Sequence, residues 1–182
     1  MKPAAAAFSA AAGSGAVPDH LATARLTLRP LRQADAPDLH RFFSDPIAMR
    51  HFGAVHHDLA ESEDWVRRTL AAPPERTREY AILRAGRVIG KAGIWAAPEL
   101  GYFLQRCHWG QGLMHEALTA LLPRLFADLS LPRITADVDP RNPASARVLE
   151  RLGFHETGRA RNTIQIAGEW TDSVYYALEA PV

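Results

Sequence analysis

Cysteine is nearly absent from this sequence, and its scarcity limits the class of protein. Cys107 is the only cysteine among 182 residues, so no disulfide can form within the chain. Small secreted domains that depend on internal disulfides are thereby excluded. The sequence also lacks an apolar run long enough to span a bilayer. We expect a cytoplasmic protein that has no membrane partner.

A large excess of charge is missing as well. The formal net charge is +1, and 23% of the residues are charged. A chain without a strong positive potential has no general attraction to nucleic acid, so nucleic acid is not an expected partner. Ligands at metal-binding spacing are also missing, because the adjacent His56 and His57 have no carboxylate or cysteine at helical spacing. We expect no bound metal.

The amino-terminal segment differs in composition from the rest of the chain. Residues 3–15 are almost entirely alanine, serine and glycine. Alanine makes a poor apolar region for a signal peptide, so we expect residues 1–21 to form a flexible tail. The remaining residues, 22–182, have the length and the apolar content of a single domain with its own core.

A glycine-containing segment, Trp109-Gly110-Gln111-Gly112-Leu113-Met114-His115, joins a predicted strand at 99–104 to a predicted helix at 112–129. Glycines at such a junction let backbone N–H groups converge on an anion, and the first turn of the helix adds its free donors. The spacing does not fit a Walker loop or a dinucleotide fingerprint. The segment predicts a cradle for a diphosphate-bearing cofactor.

A second motif begins 30 residues after Gly112 and follows a predicted strand at 133–138. It reads Asn142-Pro143-Ala144-Ser145-Ala146-Arg147-Val148-Leu149-Glu150-Arg151-Leu152-Gly153-Phe154. Together the two motifs resemble the GCN5-related N-acetyltransferases (GNAT), in the branch of the RimJ and RimL enzymes. Further matching pieces are Ala24 to Leu31 with Asp35, Ser44-Asp45-Pro46 with Met49-Arg50, Val88-Ile89-Gly90, Glu99 to Tyr102, and Gly168 to Asp172. The resemblance covers about residues 22–179.

The resemblance implies an α+β fold with a mostly antiparallel central sheet that splays between the strands at 99–104 and 133–138. Acetyl-CoA, the acyl donor, would enter this gap. Its pyrophosphate would lie on the backbone of the glycine segment, so that side chains at Gln111 and Leu113 can vary. Two residues depart from the usual pattern: Trp109 opens the segment, and Met114 could narrow the approach to the pyrophosphate. The predicted cofactor-binding residues are Phe103, Leu104, Arg106, Gly110, Gln111, Gly112, Leu113, Met114, His115, Asn142 and Ser145.

The expected chemistry is direct attack of an amine on the thioester. By resemblance, Glu99 is the candidate general base and Ser145 the candidate acid for the departing sulfur. Backbone N–H groups near Phe103 or Leu104 would hold the oxyanion. Each assignment has a structural alternative, because Glu99 could be a solvated strand residue and Asn142-Pro143-Ala144-Ser145 is also a favourable helix start.

The resemblance implies that the acceptor is a primary amine, either a protein N-terminus or a small molecule, and the sequence leaves this choice open. The segment at 43–59 and the loop at 162–172 are expected to select it. Another acyl-CoA as donor, a sensor that binds acyl-CoA without turnover, and a monomeric or homodimeric state all remain open. In the helix at 112–129, Leu113, Ala117, Leu121 and Leu125 form an apolar stripe, and Pro123 predicts a kink.

Overall fold

The structure, a computed structural model, describes residues 20–166 and 168–181. Almost all of the predicted tail therefore lies outside the described residues. Within the described part, the chain forms five α-helices and one sheet of eight strands. The strands are β1 (Leu21–Ala22), β2 (Thr27–Pro30), β3 (Arg78–Arg84), β4 (Arg87–Ala96), β5 (Glu99–Leu104), β6 (Arg133–Val138), β7 (His155–Ile166) and β8 (Glu169–Glu179). The helices are α1 (Ala36–Phe43), α2 (Pro46–Met49), α3 (Leu59–Leu70), α4 (Leu113–Leu129) and α5 (Pro143–Arg151).

The sheet has the order β1-β2-β3-β4-β5-β6-β8-β7, and it is antiparallel except between β5 and β6. These two strands run parallel and pair at one position, Glu99 with Thr135. The Thr135 amide donates to the carbonyl of Pro98 over 3.0 Å. After this pair the strands stop bonding to each other, which confirms the expected splayed, mostly antiparallel sheet.

Apolar side chains pack on both faces of the sheet because residues of a strand alternate between its two sides. On one face, α4 covers the sheet with the predicted stripe of Leu113, Ala117, Leu121 and Leu125, all buried. On the other face, α1, α2 and α3 enclose a second cluster around Phe43. The two clusters hold the central strands between them, so the gap beside β5 has a rigid frame.

Helix starts follow local capping rules. Asp58 precedes α3 and accepts the Glu61 amide at 3.0 Å, and Asn142 precedes α5 and accepts the Ser145 amide at 3.2 Å. Pro143 occupies the first position of α5, where its missing N–H has no consequence. Pro123 does not end α4, which continues through it to Leu129.

The largest departure from the sequence-based expectation concerns residues 162–172. They were expected to form a loop, whereas residues 162–166 belong to β7 and residues 169–172 belong to β8. The two strands form an antiparallel pair with register shifts between residues 156 and 158 and between 160 and 164. Residues 43–59 also contain regular secondary structure, because α2 lies within them.

Candidate active site

The gap between β5 and β6 opens into a cavity of about 1060 Å³. One part of its wall is formed by the start of α4 and the start of α5, and another part by α3 and the strands β3 to β5. Of the predicted site residues, those that line it are Glu99, Phe103, Leu104, Gly110, Gly112, Leu113, Met114, His115, Asn142 and Ser145. The structure therefore gathers both candidate catalytic residues and most of the candidate cofactor residues around one space.

The glycine segment adopts the conformation that a cradle needs. Gly110 and Gly112 have φ values of +69° and +72°, a region that favours glycine. The first hydrogen bond of α4 runs from the Glu116 amide to the Gly112 carbonyl over 3.1 Å. The amides of Leu113, Met114 and His115 precede this bond, so they remain available to an anion in the cavity.

Polar contacts hold the cradle from outside. The Gln111 side chain accepts from Arg84 at 2.8 Å and donates to the Cys107 carbonyl at 3.0 Å. Arg25 donates to the Gln111 carbonyl at 2.9 Å and forms an ion pair with Glu116 at 2.6 Å. The Gln111 side chain does not line the cavity, and its two hydrogen bonds brace the loop instead.

Arg106 does not have the position that the sequence-based prediction gave it. Its guanidinium forms an ion pair with Asp45 at 2.7 Å and does not line the cavity. This pair holds the pKa of Asp45 below its ordinary value. Arg106 thus links the segment after β5 to the start of α2 and does not face the cradle.

The open edge of β5 distinguishes the two candidates for the oxyanion donor. The Gln105 amide donates to the Ile89 carbonyl of β4 over 2.8 Å. Because successive amides of a strand point to opposite sides, the Phe103 amide also faces β4, and the Leu104 amide faces the gap. The Leu104 carbonyl on the same side accepts from the Trp109 indole at 2.7 Å. The backbone amide of Leu104, and not that of Phe103, therefore faces the gap.

Glu99 lies at the last point where β5 and β6 are joined. Burial raises the pKa of its carboxyl, a hydrogen bond from Trp95 opposes the rise, and the nearby Asp137 adds to it. Asp137 lies on β6, lines the same cavity and accepts from the Ser173 hydroxyl at 2.8 Å. A half-buried carboxyl with a raised pKa can take a proton from a bound amine.

Ser145 is joined to a residue that sequence reasoning missed. Its hydroxyl lies 2.7 Å from the hydroxyl of Tyr102 on β5. Burial raises the pKa of Tyr102 well above its ordinary value, and the hydrogen bond to Ser145 opposes that rise. Tyr102 therefore stays protonated at neutral pH. Glu99-Leu100-Gly101-Tyr102 was noted for its resemblance, but nothing in the spacing linked Tyr102 to Ser145 on another element.

Another part of the cavity wall is aromatic. Phe42 stacks on Phe103 with ring centroids 3.9 Å apart, and Trp65 and Phe52 also contact the Phe103 ring. Near the Trp65 ring, the Lys91 ammonium forms an ion pair with Glu79 at 2.6 Å, and both residues belong to the cavity wall. No sequence pattern predicts this pair, because Glu79 and Lys91 lie on different strands.

Within residues 20–166 and 168–181, no group of three or more histidine, cysteine, aspartate or glutamate residues is placed to hold a metal ion. In the same part of the chain, no helix is long and apolar enough to cross a membrane.

Comparison with known proteins agrees with this architecture. Residues 25–155 match the family model described as "Acetyltransferase (GNAT) domain". The "Uncharacterized N-acetyltransferase p20" of Bacillus licheniformis is 31% identical over 168 residues, which are 87% of this chain and 94% of that protein. The "[Ribosomal protein uS5]-alanine N-acetyltransferase" of Escherichia coli is 39% identical over 89 residues, 49% of this chain and 46% of that protein.

The fold has close structural neighbours. A solved structure titled "RimL- Ribosomal L7/L12 alpha-N-protein acetyltransferase in complex with Coenzyme A" superposes with a TM-score of 0.77 at 22% identity. The match covers 86% of this chain and 95% of that one. At this identity the likeness concerns the fold.

Proposed function

The chain belongs to the acetyltransferase (GNAT) family and is an N-acetyltransferase, and on this premise we propose that it transfers the acetyl group of acetyl-CoA to a primary amine by direct attack. The observation that carries the proposal is the edge of β5 that faces β6, which has no strand partner beyond Glu99 among the described residues. Glu99 lies at one end of this edge, and the glycine cradle follows the other end. A thioester laid along this edge would have its diphosphate at the amides of residues 113–115.

Each chemical requirement has a residue in the cavity. Glu99 takes the proton that the attacking amine loses, directly or through one water. The Leu104 amide, which faces the gap, donates to the carbonyl oxygen as negative charge develops on it. As the carbon–nitrogen bond forms, the carbon–sulfur bond breaks and its electron pair goes to sulfur.

The departing sulfur then needs a proton. Ser145 donates it from its hydroxyl, and the Tyr102 hydroxyl at 2.7 Å returns a proton to the serine oxygen. The proton that Glu99 took from the amine then returns to Tyr102 through solvent water, so that no proton is gained or lost over the turnover. Because Tyr102 is protonated at neutral pH, the pair starts the reaction with both protons in place. Asn142 holds Ser145 at the first turn of α5 through the Ser145 amide.

The acceptor is a protein N-terminal amine or a small-molecule amine. A protein N-terminus is supported by the partial similarity to an enzyme named for an alanine of ribosomal protein uS5. A cavity of about 1060 Å³ is also large enough for small amines. We further propose that residues 22–182 form a single domain that works in the cytoplasm, where the exposed Cys107 would stay reduced.

A thiol-release assay tests this proposal. Acetyl-CoA is supplied with a panel of N-terminal peptides, amino acids, polyamines and aminoglycosides, and free CoA is measured. We expect release that depends on at least one amine and produces an equal amount of acetylated amine. Calorimetric binding of acetyl-CoA without release for any member of the panel would favour an acyl-CoA sensor instead.

A further inference from the structure

Asp137 is an acid of the cavity wall to which acetyl transfer, as described above, gives no binding role. It lies on β6, is partly exposed and lines the cavity. Glu99 pairs with Thr135, and Asp137 is two residues further along the same strand as Thr135. Because side chains two residues apart point to the same face of a strand, Glu99, Thr135 and Asp137 share one face of the sheet. An acceptor held at Glu99 is therefore also close to Asp137.

Glu99 and Asp137 lack a counter-ion among the residues that the structure describes. Three of the described residues in the cavity wall are acids, and one of them, Glu79, is paired with Lys91 at 2.6 Å. The other two form no ion pair with a basic residue of the described chain. Burial raises the pKa of the Asp137 carboxyl, and the neighbouring acid Asp139 adds to the rise. A ligand that brings two cations would neutralise both acids.

Each of the two carboxylates is held by a strand on the side away from the gap. Glu99 accepts from the Trp95 side chain of β4, whereas Asp137 accepts from the Ser173 hydroxyl of β8 at 2.8 Å. In the sheet, β4 lies beyond β5 and β8 lies beyond β6. Two residues along a strand and one strand across give a Cα separation of about 8 Å, which the splaying increases. This spacing suits two nitrogens joined by a short chain better than one nitrogen.

A chain of hydroxyl groups fixes the Asp137 carboxylate. The Thr163 hydroxyl of β7 lies 2.7 Å from the Ser173 hydroxyl, which donates to Oδ2 of Asp137. A hydroxyl carries one proton, so Ser173 accepts from Thr163 while it donates to the carboxylate. A carboxylate has room for further donors, so the partly exposed Asp137 still accepts one from the cavity. Thr163 belongs to the segment at 162–172, which the sequence analysis expected to select the acceptor.

The surface that faces Asp137 across the gap suits a carbon chain. Gly101 is two residues after Glu99, as Asp137 is two residues after Thr135, so Gly101 lies opposite Asp137. A Cβ at Gly101 would lie 3.2 Å from Cδ1 of Trp95, which means that the indole lies over this glycine. The Trp95 side chain is 51% exposed and lines the cavity. Methylene groups that pack on this ring gain from leaving water.

We propose that Asp137 binds a second, cationic nitrogen of the acceptor, so that the enzyme prefers primary amines that carry another positive charge a short chain away. This inference rests on the proposed function, which places the reacting amine at Glu99. A cation at Asp137 makes a charge-assisted hydrogen bond and relieves the repulsion between neighbouring acids. A hydroxyl there makes a hydrogen bond without bringing a charge, and a methyl group makes none.

The experiment compares three amines of equal length, namely cadaverine, aminopentanol and hexylamine, which end in an ammonium, a hydroxyl and a methyl group. Shorter and longer diamines scan the span between the two acids. We expect kcat/KM of the best diamine to exceed that of its alkylamine by about ten- to a hundredfold, the range for one hydrogen bond to a charged group, with the amino alcohol between them. The two equivalent ends of a diamine at most double its rate. An amino alcohol that surpasses its diamine would overturn the inference.

Two N-terminal peptides, with lysine or norleucine as the second residue, extend the comparison to a protein acceptor. A preference for the second charge in the diamines alone would identify a small amine as its source and support the inference. A preference in the peptides alone would support it with a protein N-terminus as the source. No preference for the second charge in either series would overturn it.

Calorimetry with CoA bound separates this inference from the proposed function. If no amine supports turnover but the diamine still binds more tightly than the alkylamine, and Asp137→Asn removes the difference, acetyl transfer is wrong and the recognition by Asp137 stands. If turnover occurs without any preference for a second charge, the proposed function stands and the inference is wrong.

Two substitutions test the residue itself. Asp137→Asn removes the charge and keeps an oxygen for the Ser173 hydroxyl. We expect the ratio of kcat/KM between diamine and alkylamine to fall by about tenfold or more, chiefly through a higher KM for the diamine. Asp137→Glu should keep part of the ratio because it keeps the charge, and the exposed control Glu63→Gln should keep all of it. An unchanged ratio in Asp137→Asn would contradict the inference. If this variant does not fold, the wild-type acceptor series decides the question.

Discussion

Glu99 is the residue whose chemistry depends most on its surroundings. Burial raises the pKa of its carboxyl, and Asp137 across the gap adds to the rise. A general base works only when it is deprotonated. As pH falls through this raised pKa, the fraction of Glu99 in the carboxylate form falls, and wild-type kcat/KM should fall with it. This decline should begin at a higher pH than it would if the base were an exposed glutamate.

We expect Glu99→Gln to lower turnover by about 100- to 10,000-fold at neutral pH, the usual contribution of a general base. Alkaline pH should restore part of the rate because free amine accumulates, and CoA affinity should not change. The measurement is kcat across a pH series, with the exposed Glu75→Gln as control. A loss well below tenfold would mean that water alone accepts the proton.

Ser145→Ala should slow the departure of the thiolate, and raising the pH should not rescue it, because alkaline solution supplies no proton to sulfur. Initial rates of CoA release at several pH values measure this effect. Ser44→Ala, which removes an exposed hydroxyl that donates to the His40 carbonyl, is the matched control. Full turnover of Ser145→Ala with only a lower melting temperature would leave Ser145 as a helix-start residue.

At the scale of elements, the sequence predicted those whose pattern is strong. The apolar stripe of α4 and the Asn142-Pro143 start of α5 appear where they were expected. The ribbon of β7 and β8 was missed at residues 162–172 because β7 is an edge strand. Most of its residues are exposed on both faces, so no apolar alternation marks it. The contact between Tyr102 and Ser145 joins two elements, and spacing within one element cannot reveal it.

The junction of β5 and α4 depends on the left-handed backbone of Gly112. We expect Gly112→Ala to add about 1–2 kcal/mol of strain, distort the cradle and weaken CoA binding about tenfold or more. Gly158→Ala is the matched control, since a Cβ there meets nothing within 4 Å and its φ is not in the left-handed region. Calorimetry with CoA compares the two variants. Equal affinity in both would show that the cradle does not need this conformation.

At the scale of the whole molecule, the site depends on contacts between distant parts of the chain. Arg25 reaches Glu116 and the Gln111 carbonyl, and Arg84 reaches the Gln111 side chain. The family motifs predicted the splayed sheet and the cradle. They could not predict these braces, the pairing of Arg106 with Asp45, or the Glu79–Lys91 pair, because each depends on how separate strands and helices pack together.

The core under α4 supports this arrangement. Leu121 is fully buried, so Leu121→Ala should lower the free energy of unfolding by about 2–5 kcal/mol. Leu70 at the end of α3 is 44% exposed and provides the control. Leu70→Ala should change the free energy of unfolding by about 0.5 kcal/mol or less. Urea unfolding measures both. Similar values for the two variants would mean that α4 does not pack as described.

The most direct test of acetyl transfer by direct attack is the stoichiometry of a single turnover. The protein is mixed with acetyl-CoA in the presence and absence of an amine that supports release, and CoA, acetylated amine and intact protein mass are measured together. The account predicts one acetylated amine for each CoA, no release without amine, and no acetylated protein at any time. CoA release without amine, accompanied by an acetyl group on Cys107, would contradict it.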